Sequence, residues 1–86
     1  MIEVFKTNLV DEQIATEILT EIHSRFVNYK ANFDLDDCDK ILRVVCPDQA
    51  IDTLAIILLL RQRQVEIEVL SDEIQLFNDF NALQTL

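Results

Sequence analysis

The chain has 86 residues, a formal net charge of −9 and no glycine. This length allows a single domain with one small core, and a hydrophobic fraction of 50% is ample to form it. The negative charge argues against binding to a nucleic-acid backbone or an anionic membrane. The lack of glycine excludes glycine-rich phosphate loops and dinucleotide-binding fingerprints.

The start of the chain does not resemble an export signal. Residues 1–5 contain no basic region and no small-residue cleavage site. The longest apolar run, residues 54–60, is far shorter than the roughly 20 residues that span a membrane. We therefore expect a cytoplasmic protein.

Residues 2–7 alternate in the manner of a first strand. Ile2 and Val4 share one face, while Glu3 and Phe5 share the other. We interpret the first pair as facing the core, so that Phe5 is expected on the open face of the sheet.

The next segment has the pattern of an amphipathic helix. Asp11 is a suitable N-cap, and an apolar stripe follows at a spacing of four residues: Ile14, Ile18, Ile22 and Phe26. His23 lies at the edge of this stripe, and since no second ligand lies near it in sequence, we interpret it as structural. Asn28 is expected to end the helix in the left-handed conformation.

A β-hairpin is predicted from residues 29–36 and 41–46, which alternate on either side of an acidic turn. The turn superficially resembles an EF-hand loop, but Asp39 and Val45 stand where that loop needs glycine and glutamate. Cys38 lies near the hairpin tip and Cys46 at the far end of the following strand, roughly 25 Å away at the usual rise per residue. Both thiols are therefore expected to be free.

A second helix is expected to begin at Pro47, which suits a first helical turn. The predicted core stripe consists of Ile51, Leu54, Ala55 and Leu58. That choice leaves further apolar residues on the outer side of the helix: Ile56, Leu59 and Leu60. Residues 65–70 alternate again and predict the last strand.

A final short helix is expected after Ser71, which can cap it. Its rough apolar face consists of Leu76, Phe77, Phe80 and Leu83. We expect this helix to pack over one of the apolar surfaces left by the preceding elements, with the open sheet face slightly favoured.

The element order is β-α-β-β-α-β, which predicts an α+β, ferredoxin-like sandwich over residues 1–70 and a helical appendage over residues 71–86. The antiparallel sheet would have the strand order 4-1-3-2, with both helices on one face.

This order, the hairpin and the ending Val-Glu-Ile-Glu-Val-Leu resemble the heavy-metal-associated domains of copper chaperones and metal-transporting ATPases. That family binds metal through Met-x-Cys-x-x-Cys in the loop between the first strand and first helix. Here the loop is residues 7–13 and contains neither cysteine nor methionine, so the ligands are not carried over. Residues 3–8 and 32–44 also resemble a group of small uncharacterised bacterial proteins, which implies no activity.

The sequence favours a non-catalytic interaction module over an enzyme, because no catalytic constellation or cofactor motif is present. Excess apolar residues predict self-association, most simply as a homodimer, with another protein as a further partner class. The candidate interface residues are Ile56, Leu59 and Leu60 on the helix, and Phe5, Ile41 and Val45 on the sheet. The alternative is a degenerate metal-binding domain that uses Cys38 and its neighbouring aspartates.

Overall fold

The computed structural model describes residues 1–70. The elements are β1 (Ile2–Thr7), α1 (Glu12–Arg25), β2 (Lys30–Asp34), β3 (Ile41–Val45), α2 (Thr53–Gln62) and β4 (Ile67–Val69). The strands form one antiparallel sheet in the order β2-β3-β1-β4, and both helices contribute to one core on the same side of it. The predicted ferredoxin-like α+β topology is confirmed. The predicted tail helix and its residues Leu76, Phe77, Phe80 and Leu83 lie outside the described residues.

Helix α1 begins where its sequence places a cap. The Asp11 carboxylate accepts hydrogen bonds from the backbone N–H groups of Gln13 (2.8 Å) and Ile14 (3.1 Å). These bonds satisfy two of the donors that a helix start leaves free. The helix buries Ile18 and Ile22 against the sheet, as the spacing of its apolar residues predicts.

The end of α1 differs from the prediction. Asn28 does not take a left-handed conformation; Phe26 caps the helix, and its carbonyl accepts a bond from the Tyr29 N–H at 2.9 Å. The Phe26 and Tyr29 rings stack, with centroids 4.6 Å apart. This aromatic pair turns the chain directly into β2, so no left-handed residue is required.

The hairpin turn uses a lysine where glycine would be the usual choice. Lys40 has a φ of 47°, in the left-handed region that costs non-glycine residues energy. Its ammonium group donates to the Leu35 carbonyl at 2.9 Å, and its own carbonyl accepts from the Thr7 hydroxyl at 2.6 Å. Hydrogen bonds therefore hold both the side-chain ammonium group and the backbone carbonyl of Lys40 in place.

Helix α2 begins later than Pro47, which corrects the predicted start. Asp52 is the N-cap, and its carboxylate accepts from the Ala55 N–H at 3.1 Å. The backbone N–H of Asp52 in turn donates to the Tyr29 hydroxyl at 2.8 Å. The preceding segment is not helical, and it buries Ile51 in the core.

The core lies between the helices and one face of the sheet. Its fully buried large side chains come from both layers: Phe5, Ile18, Ile22, Leu42, Val44, Cys46, Ile56, Leu59 and Leu60. Neither of the helices within residues 1–70 is long and apolar enough to cross a membrane.

Candidate interaction surfaces

The side of the sheet away from the helices is the first candidate surface, and we call it the open face. The burial pattern and the strand registers assign to it Ile2, Val4, Lys6, Lys30, Asn32, Asp34, Ile41, Arg43, Val45 and Glu68. Ile2 lies opposite Val45, and 61% of its surface is exposed. Val4 follows on the same strand, and its carbonyl accepts from the Leu70 N–H at 2.7 Å. An apolar centre therefore lies among charged side chains.

Phe5 is not part of the open face, which corrects its predicted position. It is 0% exposed and belongs to the core beneath the helices. The strand has apolar residues on both faces, and the larger side chain occupies the core because it buries more surface. Ile41 and Val45 lie on the open face as predicted, with Ile41 only 7% exposed and outside the core cluster.

The predicted outer side of α2 is also reversed. Ile56, Leu59 and Leu60 face the sheet and are buried, so they offer no surface to a partner. The exposed apolar residues of α2 are instead Leu54 (63%) and Leu58 (50%), which lie one helical turn apart. These two leucines, which the sequence interpretation placed in the core, form the second candidate surface. The apolar run of α2 indicates that some of its leucines must be exposed, but it does not determine which side of the helix faces the sheet.

A groove of about 710 Å³ lies where β1, β4 and the end of α2 meet. Lys6, Arg61 and Glu68 are among its lining residues. Asn8 and Glu66 bond across it: the Glu66 N–H donates to Asn8 Oδ1 at 3.0 Å, and the Asn8 N–H donates to the Glu66 carbonyl at 3.2 Å. These bonds continue the pairing of β1 with the last strand, so the polar groups of Asn8 and Glu66 serve the fold.

The acidic hairpin turn brings three metal-ligating residue types together. One ligand atom each of Asp37, Cys38 and Asp39 lies within 4.8 Å of the others. Asp37 Oδ1 already accepts from the Asp39 N–H at 2.8 Å, and the Asp39 carboxylate lies 3.8 Å from Lys6 Nζ. The turn is thus held together by local bonds of the kind that aspartates make in turns.

His23 has a structural partner. Its Nε2 accepts a hydrogen bond from the backbone N–H of Ala31 at 3.0 Å, which ties α1 to the edge strand β2. This agrees with the structural interpretation of His23.

Comparison of the chain with protein-family models, with curated proteins and with solved structures yielded no match.

Proposed function

We propose that this chain is a non-catalytic protein-interaction module that self-associates as a homodimer. The supporting observation is that large apolar side chains are exposed on both layers of the fold, namely Ile2 on the sheet and Leu54 and Leu58 on α2. Large apolar side chains exposed on a protein otherwise rich in charge favour an interaction site.

The charged residues support the same proposal, because many of them have evident structural roles. Asp11 and Asp52 cap the two helices. Arg63 pairs with Glu17 and so ties the end of α2 to α1. Arg25 pairs with Glu21 one turn earlier on α1, at 2.9 Å. The Arg63–Glu17 pair joins two elements and the other groups stabilise a single helix. These structural roles favour a binding function over a chemical one.

Sedimentation velocity over a micromolar concentration series tests the proposal. We expect a species of twice the 10.0 kDa chain mass, with a monomer fraction that grows on dilution. A strictly monomeric chain throughout the series would refute self-association. The experiment also fixes the concentration range in which interface variants can be compared.

Metal binding is the weaker alternative, and it rests on the Asp37, Cys38 and Asp39 cluster. One thiolate with two carboxylates is a poor set for soft metals, which prefer several thiolates or imidazoles. The loop that holds the ligands in heavy-metal-associated domains here contains Leu9, whose side chain is buried, and Asn8, which bonds Glu66. Titration with metal separates this alternative from self-association.

A further inference from the structure

Building on the proposed self-association, we infer that two copies pack open face to open face about a two-fold axis perpendicular to the strands. In this arrangement Lys30 of each copy faces Asp34 of the other.

The open face is less acidic than the chain as a whole. Among its residues named above, the charged ones are Lys6, Lys30, Arg43, Asp34 and Glu68, which is three cations against two carboxylates. The complete chain has a net charge of −9. Two acidic molecules repel each other over most of their surfaces, so they approach most readily through a face whose own charges nearly cancel.

Ile2, Val4 and Val45 are adjacent apolar residues of this face, and Ile41 lies apart from them. Ile2 lies opposite Val45 in the β1–β3 ladder, and Val4 is bonded to Leu70 on its other side. Ile41 lies four residues from Val45 on β3, roughly 13 Å away at the usual strand rise. Two sheets packed face to face bring such residues together in a layer about 10 Å thick.

The strand registers give the face the pattern that a two-fold axis requires. Lys30 lies opposite Val45 at one end of the β2–β3 ladder, and Asp34 lies opposite Ile41 at the other end. A two-fold axis at the level of Arg43 exchanges these ends between copies. Lys30 then faces Asp34 twice. Val45 likewise lies opposite Ile41, but only 7% of the Ile41 surface is exposed, so the charged pairs define the arrangement.

The same geometry has unfavourable contacts. Ile2 and Lys6 lie two residues on either side of Val4, which pairs with Arg43, so each Ile2 faces the Lys6 of the other copy. Arg43 lies midway between the two ends of the ladder, so the two copies of its guanidinium group meet near the axis. Two like charges that meet near the axis oppose association. Removal of this charge should therefore tighten the dimer.

Charge exchange on the intact chain tests this arrangement by sedimentation equilibrium. Lys30→Asp and Asp34→Lys should each weaken the dimer roughly tenfold, because two attractive pairs become repulsive. The double variant should restore the dissociation constant to within about threefold of the wild type, and Arg43→Gln should lower it. The control for Lys30→Asp is Arg61→Asp, which changes the charge by the same amount on the helix layer, where Arg61 is exposed. It should leave the dissociation constant unchanged.

Two results would overturn the inference while keeping self-association. One is a double variant that stays as weak as either single variant. The other is a dimer that is lost with Leu58→Glu and is indifferent to the charge exchange, which would assign the interface to α2. A wild-type chain that is monomeric would overturn the proposed function and this inference together.

Discussion

The hydroxyl oxygen of Tyr29 lies 2.8 Å from the backbone nitrogen of Asp52 and accepts its hydrogen bond. This bond joins the turn after α1 to the N-cap residue of α2, across 23 positions of sequence. The same Asp52 caps α2 through its carboxylate. One tyrosine thus helps to fix where the second helix begins, which neither Pro47 nor the local apolar pattern reveals.

We predict that Tyr29→Phe lowers the free energy of unfolding by about 1 kcal/mol. The variant keeps the ring stacked on Phe26 but removes the acceptor for a partly buried backbone N–H. Urea denaturation measures the change. In an Asp52→Pro background, which lacks the donor, Tyr29→Phe should have no further effect. An equal loss in both backgrounds would contradict this role of the hydroxyl.

The burial of Phe5 leads to a prediction about the two faces of β1. Phe5→Ala should cost about 3–5 kcal/mol, because it leaves a cavity in the core. Ile2→Ala, on the exposed side of the same strand, should cost less than about 1 kcal/mol. Thermal or urea unfolding of the two variants provides the comparison. Similar losses for both would show that Ile2 is also packed in the core.

The topology could be predicted from the sequence because each element has a clear period or cap. The rotation of each element about its own axis, which decides the side it buries, could not be predicted. Alternation in β1 identifies two faces, yet Ile2 and Phe5 are both large and apolar, so the pattern does not say which faces the helices. In α2 the apolar residues run without interruption from Leu54 to Leu60. Such a run fits any rotation, and only packing against the sheet selects one.

The sequence also does not predict which residues adopt a positive φ. Without glycine, Asn or Asp is the expected choice, but among residues 1–70 these positions are Lys40 and Gln64. For Lys40 the tertiary bonds to Leu35 and Thr7 explain the choice. Long-range partners of this kind leave no trace in a local sequence pattern.

Gln64 offers a direct test of the strain at a left-handed position. It has a φ of 62° and follows the end of α2. Gln64→Gly should raise the free energy of unfolding by up to about 1 kcal/mol, since glycine adopts this conformation freely. Gln62→Gly, at the last residue of the helix, is the matched control and should be destabilising. Calorimetric melting of both variants should show shifts of opposite sign, and destabilisation by Gln64→Gly would contradict the assignment.

The two thiols should differ sharply in reactivity. Cys38 is exposed in the hairpin turn, whereas Cys46 is buried in the core, and both are free. A maleimide reagent should therefore modify one thiol quickly in the native protein and the second only on unfolding. Mass spectrometry of a time course reads out both events. The Cys38→Ser variant should show no fast phase, and a fast phase that survived in it would argue against burial of Cys46.

We expect no one-to-one binding of Cu(I) or Zn(II) tighter than micromolar to the reduced chain. Cys38 is the single thiol of the turn, and its neighbours Asp37 and Asp39 are linked by a hydrogen bond and by a contact to Lys6 that a bound ion would disturb. Zinc sites usually have four well-placed nitrogen or sulfur ligands. Isothermal calorimetry with each metal tests the expectation, with Cys38→Ser as the variant and Cys46→Ala as the thiol-matched control. A stoichiometric site that Cys38→Ser abolishes and Cys46→Ala leaves intact would establish the acidic turn as a metal site and make the weaker functional alternative the better one.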